Sequence, residues 1–173
     1  MQKALFLDRD GVINVEKDYL YKIEDFEFID GIIELCHYYI HQDYLIIVVT
    51  NQSGIARGYY DEDDFNELTA WIISAFYERG VEITHVYHCP HHPDVSGKCS
   101  CRKPNPGMLY DAKEEYDIDL ENSILVGDKE RDIEAALKAG IKTTYLFDQY
   151  HKAKSSKATK IIDKLEDIYN ANT

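Results

Sequence analysis

The feature that most constrains the fold is the run at residues 44–49, where every position is Tyr, Leu, Ile or Val. The run lacks the polar alternation of a half-exposed strand, so it predicts a strand covered on both faces, as in a parallel sheet. Other apolar runs predict strands at residues 4–7, 83–89, 123–127 and 143–147. Helical periodicity or helix-flanking residues predict helices between the strands, at residues 31–40, 61–80, 108–116 and 133–139.

Strands that alternate with helices require right-handed crossovers and therefore predict an α/β fold. We expect a three-layer, doubly wound, mostly parallel sheet. A chain of 173 residues fits a single domain, covering residues 1–173. Residues 11–43 and 54–102 offer no room for a large cap, and a short Cys/His loop lies at 89–101. A last helix is predicted at about residues 160–170.

Charge and cysteine content limit the partners and the compartment. The net charge of −13 argues against nucleic acid as a partner, because nonspecific binding requires Lys and Arg to neutralise phosphates. No stretch approaches the ~18 apolar residues of a membrane span, and the first apolar run ends too early for a signal peptide. Cys36 stands alone in a predicted helix, so the cysteines do not suggest a framework of disulfides. We expect a cytoplasmic monomer without membrane or nucleic-acid partners.

Polar side chains follow the predicted strands at the point where each strand ends. Taken alone, Asp8 and Asp10 before Gly11 could equally form a solvated turn. Because carboxyl ends of parallel strands meet at one edge of a sheet, the later strand ends favour a shared site instead. Their polar residues are Thr50 and Asn51, Arg102 and Lys103, and Asp128 and Lys129.

A hydroxyl, a lysine and three carboxylates at one edge suit phosphoryl transfer, in which positioning and charge neutralisation dominate catalysis. Mg²⁺ prefers hard oxygen ligands, so Asp8 and Asp128 are natural ligands. No glycine-rich loop of the Walker type is present, which argues against an ATPase. Asp132, four residues after Asp128, could orient a metal ligand or face solvent.

Four motifs resemble those of the haloacid dehalogenase (HAD) superfamily of phosphatases, whose sheet is flavodoxin-like in appearance. They occur in the expected order, at residues 8–11, 50–51, 103–104 and 127–129. The resemblance implies that Asp8 is the nucleophile and Asp10 the general acid and then base, through an aspartyl-phosphate. It also implies that Thr50 and Lys103 bind the transferring phosphoryl group, and that Mg²⁺ contacts Asp8, the Asp10 backbone carbonyl and Asp128.

The Cys/His loop predicts a structural zinc site. We select Cys89, His91, Cys99 and Cys101 as the four ligands, with His92 as the substitute for His91. Four protein ligands would leave no open position for catalysis, and zinc would position the adjacent Lys103. A disulfide or free thiols remain the alternative.

Together, the loop and the motifs resemble the D-glycero-D-manno-heptose 1,7-bisphosphate phosphatases and the related histidinol-phosphate phosphatases, over residues 1 to about 147. The resemblance implies Mg²⁺-dependent removal of the 7-phosphate from a small phosphorylated sugar, in the synthesis of ADP- or GDP-heptose for lipopolysaccharide or another surface glycan. Histidinol-phosphate phosphatase is the alternative. A hypothesis from a different functional class is a zinc-stabilised binding module without catalytic activity.

The resemblance also suggests substrate contacts. It implies that Arg102 recognises the second, non-reacting phosphate, and a guanidinium suits that role. The remaining candidates for substrate binding are Glu16, Tyr19, Asn51, Gln52, Ser53 and Lys129. A solvated loop is the alternative for Glu16, Tyr19, Gln52 and Ser53. Val12, where the family often has Thr, and a short zinc loop leave the preferred anomer open.

Overall fold

A parallel sheet forms the centre of the computed structural model, which describes residues 1–170. All neighbouring strands pair in parallel, which confirms the predicted sheet. The strands are β1 (Lys3–Leu7), β2 (Tyr44–Asn51), β3 (Ile83–Cys89), β4 (Ile124–Gly127), β5 (Thr143–Phe147) and β6 (Lys160–Ile162). Their order is β3-β2-β1-β4-β5-β6, the Rossmann-type variant of a doubly wound sheet.

Helices cover both faces of the sheet and complete the three layers. The helices are α1 (Ile32–Ile40), α2 (Glu62–Glu78), α3 (Pro93–Ser96), α4 (Gly107–Tyr116), α5 (Glu130–Ala139) and α6 (Glu166–Asn170), with 3₁₀ turns at Ile23–Asp25 and Leu120–Asn122. The apolar residues of α1, α2 and α6 belong to one hydrophobic core, and those of α4 and α5 belong to the other. No helix in residues 1–170 is long and apolar enough to cross a membrane.

Strand β1 lies in the middle of the sheet and contributes to both cores. Leu5 and Leu7 point into one core, and Ala4 and Phe6 point into the other, as the alternation of a strand requires. All four side chains are completely buried. The strand that leads to Asp8 is therefore held rigidly from both sides.

The end of the described chain differs from the sequence prediction. A helix was expected at about residues 160–170, but Lys160–Ile162 forms β6 and only Glu166–Asn170 is helical. Residue Ile161 pairs with Leu146 of β5, which would otherwise be an open edge strand. Two β-branched residues beside an unpaired edge favour a strand there, although their spacing fits a helix equally well.

Helix α5 begins three residues earlier than the predicted start at residue 133. Its first turn is stabilised by Asp132, whose Oδ2 accepts a hydrogen bond from the Lys129 backbone N–H at 3.1 Å. The extended helix start places residues 130–132 beside the carboxyl ends of the central strands.

Candidate active site

The carboxyl ends of β1 and β4 place two acids side by side. Leu7 pairs with Val126, and the Asp8 backbone N–H donates to the Val126 carbonyl at 3.2 Å, so the chain leaves both strands at the same level. Asp8 follows β1 directly, and Asp128 follows β4 directly. This confirms the expected meeting of the two strand ends.

The ammonium group of Lys103 lies beneath this pair and is almost completely buried. Its Nζ is 3.1 Å from Asp8 Oδ1 and 2.7 Å from Asp132 Oδ1, and it donates to the Val49 carbonyl at 2.8 Å. A lysine on a loop after β3 is thereby fixed between the ends of β1, β2 and β4.

The buried charges shift one another. Burial alone would lower the pKa of Lys103, but the carboxylates of Asp132 and Asp8 raise it above its ordinary value. Burial raises the pKa of Asp8, and the carboxylates of Asp132 and Asp128 raise it further, against the effect of Lys103. Lys103 contacts Asp8 and Asp132, and Lys129 lies 3.7 Å from Asp128, so three acids outnumber the two nearby lysines when no cation is bound.

We call Asp8, Asp128 and Asp132 the acidic cluster. One carboxylate oxygen from each lies within 4.8 Å of the others, so the cluster can hold a metal ion. Gly11 adopts a φ of +88°, and a Cβ at this position would overlap the Asp128 carboxylate. The glycine after the two N-terminal acids therefore allows the close approach of Asp128. The donor set is all oxygen, which suits Mg²⁺.

Three side chains hold the carboxylate of Asp10. The guanidinium of Arg9 donates to both of its oxygens at 3.0 and 3.1 Å, and Asn14 Nδ2 donates to Oδ1 at 3.0 Å. Gln52 Nε2 donates to Oδ2 at 3.2 Å. Asp10 is therefore oriented by neighbours on its own turn and on the loop after β2.

The end of β2 supports the same region. Asn51 clamps the Lys103 backbone, because its Oδ1 accepts from the Lys103 N–H at 3.0 Å and its Nδ2 donates to the carbonyl at 3.2 Å. The buried Thr50 hydroxyl accepts a hydrogen bond from Gln52 Nε2 at 2.9 Å. Asp8, Asp10, Asn51, Lys103 and Asp128 thus form one continuous group.

Beside this group lies a cavity of about 420 Å³ with a different character. We call it the arginine pocket, because Arg57, Arg102 and Arg131 line it. No carboxylate in residues 1–170 forms an ion pair with any of these arginines. Burial lowers the pKa of Arg102, and the positive charge of Arg131 lowers it further. Asp10, Glu16 and Asp18 also line the pocket, so an anion could be bound only through these arginines and not through a net positive charge.

The arginine pocket also contains most residues predicted to read the substrate. Its lining includes Glu16, Tyr19, Asn51, Gln52 and Ser53. Lys129 instead lines a smaller cavity that contains Asp8, with Nζ 3.7 Å from Asp128 Oδ2.

One wall of the arginine pocket is a conformationally restrained loop. Asp18 and Tyr19 have φ values of 33° and 61°, which are uncommon for residues other than glycine. The Tyr19 ring packs edge-on against Tyr59 with centroids 4.7 Å apart, and the Arg57 guanidinium lies 5.9 Å from its centre. Such backbone conformations persist where surrounding contacts hold them, often at ligand sites.

The Cys/His loop brings together three sulfurs but not the predicted histidine. The sulfurs of Cys89, Cys99 and Cys101 lie within 4.8 Å of one another, whereas the ring of His91 does not join them. The structure joins Cys89 and Cys101 as a disulfide, with Cys99 Sγ 3.5 Å from Cys89 Sγ. His92, the substitute ligand, instead accepts a hydrogen bond from Arg57 at Nε2, at 2.9 Å.

The sequence left the role of Asp132 open and did not predict that Arg57 and Arg131 belong to the site. Asp132 contacts Lys103, and its spacing of four residues from Asp128 was the available signal. Arg57 and Arg131 line the arginine pocket without having been predicted there. Their positions depend on loop paths that no local pattern specifies.

Comparisons with known proteins agree with the fold. A family model described as HAD-hydrolase-like matches residues 100–168. The fold and the group around Asp8 thus define a HAD-like hydrolase. The crystal structure of D,D-heptose 1,7-bisphosphate phosphatase from B. bronchiseptica, complexed with magnesium and phosphate, is similar with a TM-score of 0.85. It is 30% identical and covers 99% of this chain and 98% of that one.

Relatives define the family more closely. The D-glycero-alpha-D-manno-heptose-1,7-bisphosphate 7-phosphatase of Campylobacter jejuni is 53% identical over 150 residues, which are 87% of this chain and 85% of that protein. A D-glycero-beta-D-manno-heptose-1,7-bisphosphate 7-phosphatase from Photorhabdus laumondii is 48% identical over 148 residues, covering 83% and 79%. The chain belongs to the family of the D-glycero-D-manno-heptose-1,7-bisphosphate 7-phosphatases.

Proposed function

We propose that this protein is a Mg²⁺-dependent phosphatase that removes the 7-phosphate of D-glycero-D-manno-heptose 1,7-bisphosphate. The observation that carries the proposal is the 3.1 Å contact between Asp8 and Lys103 at the edge of the acidic cluster. It places a nucleophilic carboxylate beside a cation that can neutralise a phosphoryl group. Relatives named for this reaction supply the substrate.

The first step is in-line attack by an Asp8 oxygen on phosphorus. Lys103 neutralises charge on the transferring group, and the Thr50 hydroxyl is proposed to bind one of its oxygens. Asp10 gives a proton to the departing sugar oxygen, which leaves an aspartyl-phosphate on Asp8. Asp10 then takes a proton from water, and the water oxygen attacks phosphorus and releases phosphate.

The acidic cluster fits a divalent cation, because its three carboxylates lie together and outnumber the two nearby lysines. Burial and the Asp132 carboxylate raise the pKa of both Asp8 and Asp128. Asp8 and Asp128, with the Asp10 backbone carbonyl, would hold Mg²⁺. When bound, Mg²⁺ supplies charge neutralisation and orientation of the phosphate oxygens. Asp132 is then free to position Lys103.

We further propose that the Cys/His loop binds structural zinc through Cys89, Cys99 and Cys101. Cys99 Sγ lies 3.5 Å from Cys89 Sγ and 3.6 Å from Cys101 Sγ. Zn–S bonds of about 2.3 Å place tetrahedral sulfurs ~3.8 Å apart, so these two spacings suit one ion. His91 stays the proposed fourth ligand and would need to rotate towards the sulfurs. The alternative is the disulfide between Cys89 and Cys101.

The arginine pocket favours a bisphosphate over histidinol phosphate. Histidinol phosphate carries one phosphate, which the group around Asp8 would occupy. It would leave the three arginines of the pocket facing an amino alcohol, which is a cation at neutral pH. A sugar bisphosphate instead presents a second dianion to the unpaired guanidinium groups.

Such a reaction belongs to the synthesis of nucleotide-activated heptose for a lipopolysaccharide or another surface glycan. Enzymes that act on phosphorylated sugars meet their substrates in the cytoplasm, and we propose this location. We expect the protein to act as a monomer, because the site is complete within one chain.

The test of this proposal is phosphate release from both anomers of the heptose bisphosphate and from histidinol phosphate, measured side by side with Mg²⁺. We expect kcat/KM to be highest for one of the heptose anomers, because this ratio measures discrimination. A higher kcat/KM for histidinol phosphate would reject the proposed substrate. Loss of all three activities without Mg²⁺ would support the metal requirement.

A further inference from the structure

Arg131 lies where the group around Asp8 and the arginine pocket meet. It lines the arginine pocket with Arg57 and Arg102, and it also lines the smaller cavity that contains Asp8, Lys103 and Asp128. Arg131 is the only one of the three arginines that borders both cavities. A substrate with one phosphate at Asp8 and another among the arginines would pass its side chain.

Arg131 lines the arginine pocket together with the carboxylates of Asp10, Glu16 and Asp18, but two other features of its position disfavour a cation. It is the second residue of α5, where the positive end of the helix dipole disfavours a cation. It also lies close enough to Arg102 for the two positive charges to affect each other. Within residues 1–170, Arg131 forms no ion pair with a carboxylate, although the chain has 32 Asp and Glu against 19 Lys and Arg.

An anionic ligand between the arginines would remove this conflict. It would screen the repulsion between Arg102 and Arg131, and it would interact favourably with the start of α5. Arg102 is already restrained, since its Nη1 donates to the His91 carbonyl at 3.3 Å. Arg131 is exposed, and no hydrogen bond within residues 1–170 restrains its side chain, so it can turn towards a ligand that Arg102 also contacts.

We propose that Arg131 is a specificity-determining residue that binds the non-reacting phosphate together with Arg102. This inference rests on the proposed function, because it requires a bisphosphate substrate. Arg131 thereby sets the preference for a sugar bisphosphate over the corresponding monophosphate. It contributes nothing to the chemical step at Asp8.

The test compares heptose 1,7-bisphosphate with heptose 7-phosphate as substrates of wild type, Arg131→Gln and Arg131→Lys. For Arg131→Gln we expect kcat/KM to fall about tenfold with the bisphosphate, mainly through KM. The loss with the monophosphate should be much smaller, so the ratio of the two values falls. Arg131→Lys should lie between, because lysine keeps the charge without the planar fork.

The matched control is Lys138→Gln, which removes a positive charge from the last turn of α5, about 10 Å further along the helix. It should keep the preference of wild type to within about twofold, since an exposed charge at that distance is largely screened. Equal thermal unfolding of wild type and Arg131→Gln would show that the fold is intact. Should Arg131→Gln not fold, the preference of Arg131→Lys decides.

The remaining outcomes distinguish a failure of the inference about Arg131 from a failure of the proposed function. Equal losses with both substrates would show that Arg131 acts on the reacting phosphoryl group, which overturns the inference. No change in the ratio would overturn it as well. If wild type hydrolyses neither substrate, the proposed function itself fails and the inference falls with it.

Discussion

The group around Asp8 and the arginine pocket are neighbours, but the protein builds them differently. Asp8 and Lys103 are largely or completely buried, follow or lie against central strands, and pair with each other. Arg57 and Arg131 are exposed, carry no ion pair with a carboxylate in residues 1–170, and lie on a loop and a helix start. In the first region a buried lysine pairs with Asp8, whereas the arginines of the second region have no carboxylate partner within residues 1–170.

This difference assigns separate tasks to the two regions. Buried, mutually oriented groups supply the electrostatic preorganisation that a chemical step needs. Exposed cations on loops supply selection between substrates, which can vary without disturbing the chemistry. Substitutions in the first region should change kcat, and substitutions in the second should change KM and substrate preference.

The largest effect is expected for Asp8→Asn. The amide removes the nucleophile while keeping the shape of the side chain, so kcat should fall on the order of ten-thousandfold with every phosphorylated substrate. Phosphate release with saturating Mg²⁺ measures this directly. Near-normal turnover of the variant would show that the two regions do not divide the tasks as described.

A smaller loss is expected for Asp132→Asn. The amide keeps the hydrogen bond to the Lys129 N–H but weakens the 2.7 Å contact that fixes Lys103. We expect kcat to fall roughly tenfold to a hundredfold with KM nearly unchanged, because we propose that Lys103 acts on the transferring group. Glu134→Gln, on the next turn of α5, is the matched control and should resemble wild type.

Disruption of the Cys/His loop should affect both regions, because the loop continues directly into Arg102 and Lys103. For Cys99→Ser we expect a lower melting temperature and a loss of about tenfold in kcat/KM. A chelator should act similarly on wild type and release about one zinc ion per chain. Full activity and an unchanged melting temperature after chelation would contradict the coupling.

Thiol labelling separates zinc from the disulfide. Burial raises the pKa of Cys36 to about 12, so this thiol should stay unreactive in the folded protein. With zinc, chelation should expose the thiols of Cys89, Cys99 and Cys101 together. With a disulfide, only Cys99 of these three would react, before and after chelation.

The smallest expected effect is on the melting temperature of the metal-free protein and its dependence on pH. Burial and the Asp132 carboxylate raise the pKa of Asp128 above its ordinary value of 3.8. The folded chain then binds a proton that the unfolded chain has already lost, so stability falls as pH rises from about 4 through the raised pKa. Asp128→Asn removes this charge and should melt about 2–4 °C above metal-free wild type at pH 8.

Two controls define that result. The difference should shrink as pH falls towards about 4, because Asp128 becomes increasingly protonated in folded wild type. Mg²⁺ should raise the melting temperature of wild type but not of Asp128→Asn, since binding to the folded state alone stabilises it. A lower melting temperature of Asp128→Asn at pH 8 without metal would argue against repulsion in the acidic cluster.

The two regions also differ in how far the sequence predicts them. Asp8, Lys103 and Asp128 were found because apolar runs mark the strands and polar residues mark their ends. Parallel pairing then brings those ends together regardless of loop detail. The position of the group around Asp8 can therefore be predicted from sequence patterns that span the whole chain.

Arg131 and β6 were missed for the opposite reason. The side chain of Arg131 reaches the pocket only because α5 begins at Glu130, and element boundaries are weakly encoded. Ile161 and Ile162 fit both a helix and a strand, and the open edge of β5 decided between them. His91 was expected among the sulfurs, but the path of a short loop sets its direction.

The most direct test of the central claim is ³¹P NMR of the heptose bisphosphate during turnover by wild type with Mg²⁺. If the group around Asp8 performs the chemistry and the arginine pocket binds the other phosphate, the 7-phosphate signal disappears. The anomeric phosphate then remains on the sugar. Loss of the anomeric phosphate first, or no hydrolysis at all, would contradict the account.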